Sequence, residues 1–376
     1  MKRTVLALLT VLIILSGCSS GDTSSPVESK APSKPSPSSS NCELSAENIL
    51  AGMSLEEKAA QLFTVTVADG NAHKDICFGG VILFGGDFRD PATLTALTAS
   101  LKSGKRVPPI ISVDEEGGVV ERIASKATFD VPRFGTMYSI GETGKAENAF
   151  KVGSSIALYL KDFGIDADLA PVADVFTDKN NTVIGERSFS SDPEIAAKMV
   201  SACTEGFHSL AVMTAAKHFP GHGNTAADSH NGAVHTGKSW DELLSCEMLP
   251  FIAAIKANTD MIMVGHITAD KVSGDGLPAT LSKVMITDKL RGELGYGGVV
   301  ITDALNMDAI TDFFSSAEAA KLALSAGADI LLMPEDVSAA YGAVLDAVKS
   351  GEISEQRINE SVLRILDLKL KYEIIK

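Results

Sequence analysis

Short apolar runs recur along the chain, each followed by a stretch with helical periodicity. The runs are Phe63–Val67, Gly80–Phe84, Ile110–Val113, Ala167–Val172, Met213–Ala216, Met261–His266, Val299–Ile301 and Ile330–Met333. They are apolar at successive positions rather than at every second one, which is the pattern of strands covered on both faces. Helix starts are readable between them. Ser54-Leu55-Glu56-Glu57 has the spacing of a capping box. Asp90-Pro91 and Asp192-Pro193 each place a capping carboxylate ahead of a proline in the first turn. Ser239–Asn258 and Leu281–Leu294 predict amphipathic helices. Eight strands with helical crossovers predict an α/β fold, a (β/α)8 barrel. The first connection, Ala68–Gly79, is too polar and short for a good helix, so the barrel is expected to be irregular there. A doubly wound open sheet is the alternative, but no GxGxxG turn of that fold is present.

The amino terminus departs from this pattern. Met1-Lys2-Arg3 is a short positive region, followed by an apolar run from Thr4 to Leu15. Such a run is too short for a bilayer core, which takes about 20 residues, but it suits a signal-peptide core. Leu15-Ser16-Gly17-Cys18 then resembles a bacterial lipobox. The resemblance implies cleavage before Cys18 and lipid attachment to its sulfur and new amino group. More than one acyl chain is what stable anchoring requires. An ordinary signal peptide with a chance cysteine, or an uncleaved anchor, is the alternative. Residues 18–41 read as a lipidated, flexible tether rich in Ser and Pro. One folded domain is expected over residues 42–376, with no second linker.

Composition narrows the partners. The 376 residues are 45% hydrophobic and 22% charged, which excludes a mostly disordered chain and leaves enough apolar material for a large core. With 33 Lys and Arg against 48 Asp and Glu the net charge is −15, and it becomes −17 once Lys2 and Arg3 leave with residues 1–17. Such a chain has no electrostatic footprint for nucleic acid. An anionic substrate would need a local basic pocket. Besides Cys18, four cysteines remain: Cys42, Cys77, Cys203 and Cys246. An export context permits disulfides, and three full pairings are open. Cys203 and Cys246 lie in helical patterns and read as buried hydrophobes. No CxxC is present, so neither a redox motif nor a thiolate zinc site is suggested.

Polar residues gather at one end of the predicted strands. Asp114 follows the third, in Asp114-Glu115-Glu116-Gly117-Gly118, with Arg122 eight residues on. Arg187 sits in the loop after the fourth, Lys217 and His218 end the fifth, His266 ends the sixth, and Asp303 ends the seventh. In barrels the carboxyl ends of the strands carry the chemistry. Each residue alone could be a salt bridge or a helix cap. Their joint occurrence at one end is the informative feature.

The richest stretch runs from Lys217 to His230: Lys-His-Phe-Pro-Gly-His-Gly-Asn-Thr-Ala-Ala-Asp-Ser-His. Its Pro, Gly and Asn make it a loop. Asp228 stands two residues before His230, close enough to orient the imidazole and favour its protonated form. His230 thereby becomes a proton donor and acceptor near working pH. A surface loop with loosely placed histidines is one alternative. A zinc site built from His218, His222, Asp228 and His230 is another, although neither HExxH nor a cysteine cluster is present.

These residues resemble the β-N-acetylhexosaminidases of glycoside hydrolase family 3. The resemblance rests on Lys217–His230, on Asp114-x-Glu-Gly-Gly-x-x-x-Arg122, on Ile184-Gly-x-Arg-Ser-Phe189 and on Ile301-Thr-Asp-Ala-Leu305, in order from about Leu55 to Tyr372. It implies an irregular TIM-type barrel as a single catalytic domain and a retaining mechanism. It implies Asp303 as nucleophile and the Asp228–His230 dyad as acid/base. It implies Asp114, Arg122, Arg187, Lys217 and His218 as sugar-binding residues; His266 joins them by its place at a strand end. No metal or organic cofactor is needed. Phosphate could compete with water in the second step, because a neutral imidazole does not repel an anion as a carboxylate would.

Many members of the family carry a second α/β domain, and this sequence has no counterpart to it. One tryptophan, Trp240, and 6% aromatics argue against a long platform for a polymer. A compact pocket for one terminal sugar fits better. The expected protein is therefore an exported, lipid-anchored exo-β-N-acetylglucosaminidase on the extracytoplasmic face, monomeric, acting on muropeptides or other N-acetylglucosamine-containing saccharides. A β-glucosidase or phosphorylase of the same fold is the related alternative, and a substrate-binding lipoprotein of a transporter is the non-enzyme one.

Overall fold

A computed structural model describes residues 44–225 and 232–376. The ten strands are β1 (Phe63–Thr66), β2 (Gly80–Leu83), β3 (Ile110–Val113), β4 (Ala167–Asp168), β5 (Met213–Phe219), β6 (Val234–Thr236), β7 (Met261–Val264), β8 (Ile267–Ala269), β9 (Val299–Thr302) and β10 (Leu331–Leu332). Eight of them form one parallel sheet in the order β10-β1-β2-β3-β4-β5-β7-β9. A parallel bridge between Ile301 and Ile330 joins its two ends. The sheet is thus a TIM-type barrel, as the alternation of apolar runs predicted. Every residue of β2, β3, β5, β7 and β9 is buried, as expected for strands covered by side chains inside and helices outside. The short strands β6 and β8 pair with each other in a separate sheet.

The helix starts follow their sequence signals. Ser54 caps Leu55–Gln61 through a full capping box, and Asp90 and Asp192 cap Pro91–Lys102 and Pro193–His208. Four details differ from expectation. The first connection holds a six-residue helix, Val67–Ala72, capped by Thr66, but none of its residues is buried. The barrel is irregular there because that helix offers the core only the half-buried Val67. The run Ala167–Val172 is a regular strand only to Asp168, since Pro171 has no N–H for the ladder. Its carbonyls still reach β5, where Ala215 N donates to Ala170 O and Lys217 N to Pro171 O.

The stretch Ser239–Asn258 forms two helices, Trp240–Leu244 and Met248–Lys256. Pro250 sits in the first turn of the second, where its missing N–H costs no helical bond. Cys246 therefore lies in a turn, not a helix, and is half-buried. The residues 284–293 are wound as a π-helix. Among the described residues Cys77, Cys203 and Cys246 form no disulfide, and Cys203 is buried as predicted. Cys18, Cys42, the apolar leader and the tether lie outside the described residues. Among the described residues, no helix is long and apolar enough to cross a membrane.

Candidate active site

The carboxyl ends of the barrel strands surround a cavity of about 360 Å³. Asp114, Arg122, Arg187, Lys217, His218 and Asp303 all line it, so the structure brings together six of the residues that the sequence singled out. Glu116 and His222 line it as well. Asp228 and His230 lie outside the described residues.

Lys217 is the hub. It enters from β5 with its ammonium buried, 2.7 Å from Asp114 Oδ1 and 2.7 Å from Glu116 Oε1. Burial alone would discharge it, but the two carboxylates win and raise its pKa. Arg187 ends a 3-10 turn, Gly185–Arg187, and makes a bidentate pair with Glu116 at 2.9 Å and 2.7 Å. Two cations thus converge on Glu116, which outweighs burial and holds its carboxyl far below the usual range. Burying such a network costs desolvation that a packed apolar core avoids.

Arg122 is held more loosely. Its Nη2 stands 3.9 Å from Asp114 Oδ2 and its guanidinium 5.9 Å from the centre of the Phe84 ring. Its Nε is buried with no hydrogen-bond partner among the described residues.

Asp303 follows β9 and is half-buried rather than exposed. Its N–H donates to Val264 O and its Oδ1 accepts from Ala304 N at 2.8 Å. Burial works to raise its pKa. His218, His266, the Ala304 amide and Lys217 together lower it below the ordinary value, so it is ionised at neutral pH. An ionised carboxylate of this kind can act as a nucleophile or stabilise a developing cation.

Asp174, which the sequence reading missed, organises the histidines. This buried carboxylate accepts from His218 Nδ1 at 2.8 Å, from the His218 amide, and from the His222 amide at 2.6 Å. His218 Nδ1 is therefore committed to Asp174, leaving Nε2 as the nitrogen for a ligand. Burial lowers the His222 pKa, and its Nδ1 pairs with Thr225 Oγ1 at 2.7 Å. His266 does not line the main cavity. Its Nδ1 pairs with Thr280 Oγ1 and its Nε2 donates to Ala304 O, both at 2.9 Å, so both ring nitrogens are taken by protein groups. Among the described residues no group of three or more His, Cys, Asp or Glu is placed to hold a metal ion.

The sequence signal for Glu116 was present but unspecific, since three consecutive acids follow β3 and nothing local says which one faces Lys217. Asp174 carried no signal at all, because its partners lie more than forty residues away.

A parallel barrel with a polar pocket at the carboxyl ends of its strands is the general layout of barrel enzymes, and the chemistry is set by the residues in that pocket. Residues 54–368 match the glycosyl hydrolase family 3 N-terminal domain, and the chain belongs to that family. It is a glycoside hydrolase. It is 37% identical over 321 residues to the beta-hexosaminidase A of Pseudoalteromonas piscicida, covering 78% of this chain and 53% of that protein. This chain therefore spans about half the length of that relative. It is 33% identical over 383 residues to the beta-hexosaminidase LpqI of Mycobacterium tuberculosis, covering 98% and 97% of the two chains. Among solved structures, the family 3 beta-N-acetylglucosaminidase from Paenibacillus sp. str. FPU-7 superposes with a TM-score of 0.81 at 37% identity, over 86% of this chain and 64% of that one. LpqI of M. tuberculosis superposes at 0.78 and 32% identity, over 87% and 96%.

Proposed function

We propose that the protein is a retaining exo-β-N-acetylglucosaminidase that removes terminal N-acetylglucosamine from peptidoglycan-derived or chitin-derived fragments. The observation that carries this reading is Asp303, a carboxylate kept ionised in a cavity of about 360 Å³ that it shares with three cations. That volume is at the low end of ligand pockets and suits one terminal sugar better than a polymer. The names of the relatives support N-acetylhexosamine as the sugar.

In the first step an Asp303 oxygen attacks the anomeric carbon while His230 gives its proton to the leaving oxygen. In the second step His230 takes a proton from water, the water attacks the anomeric carbon, and Asp303 leaves. Asp228 orients His230 and stabilises its cation, as the loop pattern suggests. Asp114, Arg122, Arg187, Lys217 and His218 hold the sugar hydroxyls and the N-acetyl group. His266 acts through Ala304, the residue after the nucleophile, and fixes where that backbone lies. No cofactor takes part. Cys18 carries the lipid, residues 18–41 tether the domain 42–376 to the extracytoplasmic face of the membrane, and the enzyme works as a monomer.

Release of nitrophenol from the β-N-acetylglucosaminide and the β-glucoside by the full chain tests the reading. Turnover of the N-acetyl substrate alone is expected, giving free sugar whether or not phosphate is present. Preference for the glucoside would make the protein a β-glucosidase, and a sugar phosphate product would make it a phosphorylase. A folded protein that turns over neither would be a sugar-binding lipoprotein instead.

A further inference from the structure

The three acids after β3 diverge. Asp114 and Glu116 face the cavity, whereas Glu115 turns the other way and is fully buried. Its carboxylate gathers donors from a single stretch of chain. Oε2 accepts from Arg122 N at 2.5 Å and from Ile123 N at 2.9 Å, and Oε1 accepts from Ala124 N at 2.8 Å. The Tyr159 hydroxyl, from the helix Ala146–Asp162, donates to Oε1 at 2.9 Å. The Glu115 amide in turn donates to Asp168 Oδ1 at 3.0 Å. Between the two ends of this clasp, Gly117 and Gly118 take positive φ of 86° and 69°, and Gly117 bridges to Val120. A Cβ on Gly118 would stand 2.7 Å from Gly135 O, so that turn admits no side chain.

The turn carries Arg122, whose guanidinium has only a long ion pair and an aromatic face to hold it. Its direction is therefore set from the backbone side. We infer that Glu115 and Tyr159 are positioning residues that aim Arg122 into the sugar pocket, through the three amides of Arg122, Ile123 and Ala124. The inference rests on the proposed role of Arg122 in binding the sugar. It explains why a carboxylate is buried beside the site with no cation on it. Three amides and a hydroxyl replace part of the lost hydration, burial still holding the Glu115 carboxyl above its ordinary pKa, and they fix a loop in doing so.

The test is a double-mutant cycle on the full chain, read as kcat and KM for the aryl N-acetylglucosaminide. Tyr159→Phe removes one hydroxyl without changing the shape of the core. It is expected to raise KM about 3- to 10-fold with kcat little changed, the signature of weakened uniform binding. Glu115→Gln, which puts donors where acceptors are needed, is expected to lower kcat/KM by about 10- to 100-fold. Both losses should nearly vanish in an Arg122→Ala background. Equal losses in both backgrounds would mean that Glu115 and Tyr159 act on the fold in general, and would overturn the inference. Unchanged kinetics for Tyr159→Phe would overturn it too, including the case in which Glu115→Gln does not fold. An Arg122→Ala enzyme with unaltered kinetics would instead remove the sugar-binding role of Arg122, a failure of the parent reading that this single variant identifies.

Discussion

Three aspartates at the base of the barrel and two at its mouth, Asp114 and Asp303, are used in opposite ways. Asp174, also at the mouth, has both oxygens engaged like those at the base. At the base, Asp166, Asp260 and Asp329 stand just before β4, β7 and β10 and repeat one contact. Each accepts the amide of the second residue of a neighbouring strand: Ile111 of β3, Thr214 of β5 and Val300 of β9. Each also meets basic side chains, Lys102 at Asp166, the His208 ring and Lys371 at Asp260, and Arg291, Arg357 and Arg364 at Asp329. Both oxygens of every one of these carboxylates are used. At the mouth, among the described residues, Asp303 accepts a single hydrogen bond, and Asp114 has one close partner in Lys217. A carboxylate whose two oxygens are both engaged by the protein holds strands together. One with sites to spare can act on something else. The contrast agrees with the general division of labour in this fold, stability at the amino-terminal face and chemistry at the carboxyl face.

Substitutions at the two ends should therefore separate activity from stability. Asp303→Ala should lower kcat by about 10⁴-fold or more while leaving the thermal midpoint unchanged, as a melt followed by circular dichroism would show. A fall in both would place Asp303 with the base carboxylates. His230→Ala should cost about 10²–10⁴-fold with a poor leaving group, and less with an activated aryl one when glycosylation is measured. An equal loss with both would remove it as the acid. Asp329→Ala should do the reverse: it strands three arginines and should cost about 3–5 kcal/mol in urea unfolding, with kcat intact in the protein that remains folded.

The smallest effect should come from pH. Burial works to raise the Asp260 carboxyl, but His208 and Lys371 bring it below its ordinary value of 3.8. A carboxylate with a depressed folded pKa contributes stability above its unfolded pKa and loses it as pH falls through the folded one. Stability should thus be steady above about pH 5 and decline below the ordinary carboxylate range. Asp260→Asn should flatten that decline. A decline of unchanged steepness would assign it to other carboxylates.

Much of this contrast was readable in the chain, and unevenly so. The barrel strands announce themselves because burial on both faces demands uninterrupted apolar runs, as in Met261–Val264. The mouth residues Asp114, Lys217 and Asp303 are legible because each ends such a run and so shares its direction. His266 ends one too, yet its ring turns toward Thr280 and Ala304. A strand-end position indicates the end of the barrel and leaves the direction of the ring open. Glu115, Glu116 and Asp174 have partners set by packing between distant segments, which local patterns do not record. The break before Met248 was available in Pro250, since a proline is tolerated in a first turn and disruptive deeper in a helix.

The closing contacts bear on when the structure can exist. β1 finds its register against β10, with Phe63 opposite Leu331 and Thr64 opposite Leu332. Asp260 at the base of β7 waits for Lys371 and Tyr372, which clasp it from the far end of the chain. During synthesis the first strand therefore leaves the ribosome long before β10, one of its two neighbours, is made. β2 covers one edge of β1 early, but the other edge waits for β10, and pairings between segments so far apart are slow to form. The barrel can close only once β10 and the last helix have been made, so its final register is a late event in folding.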